Sequence, residues 1–280
     1  MKIVPFKTPK SDKATILFQD DRNKKPYAQL HQHAELQITW VEKGQGNMLV
    51  GDSFESFKRG DVFLFGAHLP HVFKSEKKCS MVSIFFTENS FGFDFFKLKE
   101  FRKIRSLFDL AQKGIRVKSN TGELFSTMNI FEKSAGASRI IQFLAILKLV
   151  SESRKGELSV FAYNKQFNAN EAKRMSAVFD YTLKNYAKEI KLEEVAAQCM
   201  LSKNAFCKYF KQRTNKTFFQ FLIEVRIEKV CEAMLKENNS NMSEIAYAVG
   251  FNNLSNFNRQ FKKIKLMTPR EFLAKAQSVS

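Results

Sequence analysis

From Glu35 to Gly66 the chain reads ELQITWVEKGQGNMLVGDSFESFKRGDVFLFG. Short runs rich in β-branched and aromatic residues alternate with turns carrying Gly44, Gly46, Gly51, Gly60 and Gly66. CSMVSIFF, residues 79–86, is a further run of the same kind. Several short strands at this spacing predict a small antiparallel barrel or sandwich within residues 1–96. From about Lys97 the period lengthens to that of a helix. LKEFRKIRSLFDLAQKG places apolar residues at helical spacing and stops at Gly114. TGELFSTMNIFEKS and ASRIIQFLAILKLVSES predict two more helices. RKGELSVFAYNKQFNANEA holds no sustained period and predicts a linker over 154–169. Beyond it the pattern is helical almost throughout. The implied fold class is α+β: an antiparallel β-barrel followed by helices in 1–153, then an all-α domain in 170–280.

Within that second domain the pattern repeats itself. LEEVAAQCMLSKNAFCKYFK, from Leu192, and SEIAYAVGFNNLSNFNRQFK, from Ser243, align along their length. Val195 and Ala196 match Ile245 and Ala246, and Leu201 matches Phe251. Phe206, Lys208, Phe210 and Lys211 match Phe257, Arg259, Phe261 and Lys262, with one extra residue in the second turn. Each copy is a short helix, a break and a second helix, the pattern of a helix-turn-helix. TFFQFLIEVRIEKVCEAMLKEN predicts a long helix bridging the copies, and Thr268-Pro269 opens a closing helix.

Composition narrows the partners. The formal net charge of +18 favours polyanions, nucleic acid first. Residues from 166 on carry 19 basic and 11 acidic side chains, against 27 and 17 before, so the motif and not the charge must locate the contact. Cys79, Cys199, Cys207 and Cys231 form no CxxC pair and read as reduced thiols, mostly core. MKIVPFKTPK lacks the apolar run of a secretory signal, and IIQFLAILKLV is short and broken by Lys148. A cytoplasmic protein with no membrane partner is therefore expected.

On the second helix of the first copy, Ser202 is placed to cap, and Phe206 and Phe210 fall on an inward face. Lys203, Asn204, Cys207, Lys208 and Lys211 fall opposite. In the second copy Ser243 is expected to cap the first helix, Gly250 to make the turn, and Asn252 or Asn253 to cap the second helix. Phe257 and Phe261 point inward there, leaving Ser255, Asn258, Arg259 and Lys262 outward. Arg reads guanine and Asn reads adenine in the major groove, while Lys and helix N-termini hold phosphates. Residues 170–276, and above all IAYAVGFNNLSNFNRQFKKIKLMTP, resemble the AraC-type transcription regulators. Ile245, Ala246, Gly250, Phe251, Phe257, Arg259, Phe261, Lys262, Thr268 and Pro269 fall on that family's signature. Arg226, in VRIEKVCEAML, matches its linker helix. Two positions depart from the family's usual glycine: Asn215, which tolerates a left-handed turn, and Leu266, where a turn of another shape is expected. The resemblance implies double-stranded DNA as partner, with RNA polymerase and a second copy of the chain, paired through helices at about 97–152.

All four histidines fall between His31 and His71. His31 and His33 are two apart, hence on one face of a predicted strand that Glu35 and Gln37 continue. GDVFLFGAHLPH supplies His71 on a later strand. These segments resemble the motifs of cupin barrels, with Gln37 where metal-binding members have Glu. That resemblance implies a sensor pocket whose effector contacts are His31, His33, Gln37 and His71. No cofactor is expected; a metal on His31, His33 and His71 is the lesser alternative, weakened by the missing carboxylate. The sequence holds no nucleophile triad, paired catalytic carboxylates or phosphate-cradling loop, so no enzyme is expected. The alternatives are a metal-dependent cupin oxygenase or isomerase fused to a DNA-binding domain, and a nucleoid-type binder without a ligand.

Overall fold

The computed structural model describes residues 15–159, 169–236 and 241–277. Most of the predicted linker, residues 160–168, lies outside them. The chain divides into two units, residues 1–53 with 57–172 and residues 54–56 with 173–280.

The first unit is built on β1 (Leu17–Lys24), β2 (Leu36–Lys43), β3 (Gln45–Val50), β4 (Ser53–Lys58), β5 (Val62–Phe65), β6 (His71–Lys74) and β7 (Cys79–Phe86). Then come α1 (Arg102–Ala111), β8 (Ile115–Val117), α2 (Thr121–Lys133), α3 (Gly136–Glu152) and β9 (Lys155–Glu157). Two sheets result, one ordered β1-β7-β2-β5-β8-β9 and the other β4-β3-β6. Their registered pairs are antiparallel. The expected barrel is therefore not closed. Closure needs an unbroken ring of paired strands, whereas β1 and β9 end the larger order. Among the described residues the isolated bridge lies between His31 and His71.

Strand alternation explains why this sheet reads as nearly continuous apolar sequence. On β2, Leu36, Ile38 and Trp40 join a core shared with α1, α2 and α3, while Val41 joins a second core. Val62 and Leu64 of β5, and Val82, Ile84 and Phe86 of β7, follow the first set. Phe63, Phe65 and Met81 follow the second, with Met48, Val50, Phe57 and Phe73 from the smaller sheet. The larger sheet thus packs on both faces, helices on one and the smaller sheet on the other. Each large side chain removed from water in this way contributes about 1.5–3 kcal/mol. Arg22 ties β1 and β2 to α2. Its guanidinium donates to both carboxylate oxygens of Glu42, each at 2.7 Å, and to both of Glu132, each at 2.8 Å.

Strands β8 and β9 escaped the sequence pattern. Each has three residues, too few to display a period, and each exists because a neighbouring strand offers hydrogen bonds: β8 to Val62–Leu64, β9 to β8. The start of the predicted linker is accordingly a strand. The first helix begins at Arg102, after two short 3₁₀ turns at Phe95–Lys97 and Lys99–Phe101.

The second unit is helical: α4 (Ala169–Asn185), α5 (Leu192–Gln198), α6 (Lys203–Thr214), α7 (Phe218–Lys236), α8 (Met242–Ala248), α9 (Leu254–Lys265) and α10 (Pro269–Gln277). Ile227, Val230, Cys231 and Met234 of α7 bury one stripe against Ile245, Ala246, Phe251, Phe257 and Phe261. No helix among the described residues is long and apolar enough to cross a membrane.

Candidate nucleic-acid interface and buried histidine site

The duplicated sequence folds as a duplicated backbone. In the first copy Leu201 N–H donates to Ala196 O at 3.1 Å; in the second, Phe251 N–H donates to Ala246 O at 3.0 Å. The turn residue before each has positive φ, +55° at Met200 and +97° at Gly250. The extra residue is Asn252. It lets Asn253 cap α9 by accepting from Asn256 N–H at 3.0 Å, as Ser202 caps α6 by accepting from Ala205 N–H at 3.4 Å. Both second helices have 12 residues, and each ends on a left-handed residue, Asn215 and Leu266. The turn at Leu266 therefore has the same left-handed shape as that at Asn215, contrary to expectation. Its side chain is 86% exposed, so nothing packed resists the left-handed backbone. A second correction concerns α8: Asn241, not Ser243, is its cap, accepting from Ser243 N–H at 3.0 Å. Asn241 is the residue with extended backbone, which a cap requires.

The repeat also runs one helix further than the sequence alignment. Thr217 N–H donates to Gln220 Oε1 at 2.8 Å and Gln220 N–H to Thr217 Oγ1 at 3.2 Å. Thr268 and Glu271 repeat this reciprocal cap at 2.7 and 3.2 Å. Phe221 and Phe272 follow, the first ring tilted against Phe210 at 5.7 Å and the second edge-on to Phe261 at 5.8 Å. The unit is thus three helices written twice, with α7 beginning as α10 does.

Phe206, Phe210, Phe257 and Phe261 are buried on the inner faces of α6 and α9. Lys203, Asn204, Cys207, Lys208 and Lys211 are exposed on α6, and Ser255, Asn258, Arg259 and Lys262 on α9. Lys203 Nζ lies 2.8 Å from Glu193 Oε1, back toward α5. Arg259 donates from Nη2 to Asn256 Oδ1 at 3.0 Å, one turn closer to the helix start. Arg226 reaches from α7 to the chain leaving α4, donating to Tyr186 O at 2.8 Å and Lys188 O at 2.9 Å. Gly250 lies against the same Tyr186 carbonyl and against that of Ala187. Any Cβ there would come within 2.9 Å of Tyr186 O, Ala187 O and Arg226 Nη2. Cys79, Cys199 and Cys231 are buried, and burial pushes the Cys199 thiol up to about 11 and Cys231 up to about 12.

In the first unit His31 and His33 lie ahead of β2 rather than on a strand. They still converge on His71, because His31 and His71 exchange backbone hydrogen bonds at 3.1 and 2.9 Å. One ring nitrogen of each of the three lies within 4.8 Å of the others. His33 Nε2 is 3.0 Å and His71 Nε2 2.9 Å from Gln37 Oε1. Burial pushes His31 down to about 4, lowers His33, and holds His71 well below its ordinary value. The rings are therefore neutral near pH 7. Thr39 and Ser83, absent from the sequence-level site, complete it. Gln37 Nε2 donates to Thr39 Oγ1 at 2.7 Å and Ser83 Oγ at 3.3 Å. Alternation along β2 could have indicated Thr39; Ser83 depends on its register opposite Thr39. Beside them opens a small pocket of about 50 Å³, with Gln19, Tyr27, His31, Gln37, Thr39 and Ser83 among its walls.

Comparison with known proteins agrees with the helical geometry. Residues 195–275 match the family described as a helix-turn-helix domain. The chain is 34% identical over 99 residues to the uncharacterized HTH-type transcriptional regulator YdeC of Bacillus subtilis, covering 35% of this chain and 34% of that protein. It is 32% identical over 137 residues to the HTH-type transcriptional activator RhaS of Klebsiella pneumoniae, covering 49% and 46%. To the HTH-type transcriptional activator RhaR of Mannheimia succiniciproducens it is 22% identical over 263 residues, covering 90% and 89%. The matched stretch spans about a third of the length of YdeC and under half that of RhaS. Residues 195–275 of the chain thus carry a helix-turn-helix domain.

Proposed function

We propose that the chain is a sequence-specific transcription regulator. Its second unit, from about 170, reads double-stranded DNA through α6 and α9. Its first unit, to about 153, responds to a small effector in the cavity beside His31, His33, Gln37 and His71. The supporting observation is the doubled three-helix unit: matched turns and caps present two polar helices outward while their phenylalanines stay inside. Helices of this length and polarity suit the major groove. Lys203, Lys208, Lys211 and Lys262 then hold phosphates, while Asn204, Cys207, Ser255, Asn258 and Arg259 face base edges. The effector shifts the population between arrangements that bind the operator well and poorly. A cytoplasmic homodimer that engages RNA polymerase and is not an enzyme completes this reading.

The test is a binding-site selection on the full chain at near-physiological salt. A defined operator should emerge, preferred over scrambled DNA. With Arg259→Ala, one operator position should relax at a cost of about 1–3 kcal/mol. Equal affinity for operator and scrambled DNA would overturn the reading.

A further inference from the structure

The second helix of each copy turns inward a stripe of residues four apart. On α6 it is Phe206, Phe210 and Thr214, all buried. On α9 it is Phe257, Phe261 and Lys265. Thr214 and Lys265 stand at the same place, each the last residue of its helix and each followed by a left-handed residue. Thr214 is satisfied within its own segment, its hydroxyl 2.8 Å from Phe210 O and 3.1 Å from Lys216 O. Lys265 instead carries a charge into that place. Its ammonium donates to Glu228 Oε1 on α7, and the two side chains are only 19% and 4% exposed. Among the described residues Glu228 is the buried carboxylate of the second unit.

The rest of the seam is apolar. Ile227, Val230, Cys231 and Met234 of α7 share a core with Phe257 and Phe261. Packing of this kind is non-directional and tolerates a small slide or roll of one helix on the other. A buried ion pair does not, because any such motion strands two charges away from water. Among the described residues, the other side-chain hydrogen bonds at α9 are the Asn253 cap and Arg259 to Asn256, and both stay within the helix. We propose that Glu228 and Lys265 are positioning residues: their pair fixes the roll and register of α9 on α7, and so the aim of Ser255, Asn258 and Arg259 at base edges. The inference rests on the reading of α9 as a helix that contacts DNA.

The geometry makes small motions matter. Side chains end about 5–6 Å from a helix axis, so a roll of about 20° carries a tip roughly 2 Å sideways. A hydrogen bond to a base edge does not survive that shift. The pair itself adds little stability, since replacing a buried ion pair by apolar residues of similar volume is often neutral or stabilising. What it supplies is one arrangement out of several that the phenylalanines would accept. Lys265 also sits in the last turn of α9, where the helix dipole favours a cation. Its tether holds the residue just ahead of Leu266, whose backbone is left-handed at φ +57°. At the matching place on α6 the Thr214 hydroxyl bonds its own segment, so the aim of α6 does not depend on a charge pair there.

The experiment is a binding-site selection and an operator titration on the full chain carrying Glu228→Leu and Lys265→Met together, with thermal melts and far-UV circular dichroism as the check on folding. The melting temperature should rise or stay within about 5 °C of wild type. Preference for operator over scrambled DNA should fall by about tenfold or more, the loss of one or two base contacts. The relaxed operator positions should be those that Arg259→Ala also relaxes, while those that Asn204→Ala relaxes keep their preference. A smaller fall, a relaxation spread over both sets of positions, or a melting temperature lower by more than about 5 °C would each overturn the inference. A wild type that prefers its operator, beside a double variant that keeps that preference, refutes this inference alone. A wild type that prefers no operator refutes the regulator reading, and this inference with it.

Discussion

Gly250→Ala should loosen the second helix-turn-helix from the helices it is built on. The turn at Gly250 has φ +97°, and its backbone lies against the Tyr186 carbonyl, which Arg226 also contacts, and the Ala187 carbonyl. A methyl would come within 2.9 Å of two backbone oxygens and of Arg226 Nη2, so something must move. The positive φ costs an L-residue about 1–2 kcal/mol. Displacing Arg226 from one carbonyl removes a charged hydrogen bond worth about 1.5–3 kcal/mol. Together the loss is about 3 kcal/mol, or on the order of 100-fold in an equilibrium constant. Hydrogen exchange on the full chain, read in peptides covering α7 to α9, measures it: protection of the slowest amides should fall by about that factor. Met200→Gly is the control. Met200 occupies the equivalent turn at φ +55° with its side chain 89% exposed, so that change should stay within about 1 kcal/mol. A Gly250→Ala loss of about thirtyfold or less, which the positive φ alone accounts for, would refute the argument that contact, and not φ alone, demands glycine there.

Two further outcomes follow from the same reasoning. Leu266→Gly should be neutral to stabilising by up to about 1 kcal/mol, since the left-handed residue is relieved while an exposed side chain loses no packing; hydrogen exchange of α9 and α10 measures it, and a loss above about 1 kcal/mol would count against the relief. Arg22→Met should lower thermal stability above about pH 5 by about 1 kcal/mol and matter less in acid. Its guanidinium holds Glu132 below the ordinary value of 4.5, so that contribution is present above that value and disappears as pH falls through the lowered one. Melting curves from pH 3 to 7 on both proteins should converge at the acid end, and parallel curves would contradict the assignment.

Whatever is written in local period and local repetition could be read from the chain before it was folded. The duplicated helix-turn-helix, the inward phenylalanines and the outward Lys, Asn and Arg could be read because a helix face recurs every three to four residues. The Ser202 cap and the Asn215 turn depend on neighbours within a few positions, and they were equally legible. The tertiary structure alone decided features whose partners are distant in sequence. Strands β8 and β9 are too short to have a period and exist by pairing. That the bridging and closing helices are third members of the two repeats became visible only through their reciprocal caps and the Phe210–Phe221 and Phe261–Phe272 contacts. Leu266 takes a left-handed turn its side chain disfavours because the fold around it fixes the backbone. The histidines were legible as a cluster, but not the arrangement of their rings around Gln37. That depends on which carbonyl each Nδ1 meets and on the register that sets Thr39 beside Ser83, and both are set only when the sheet has formed.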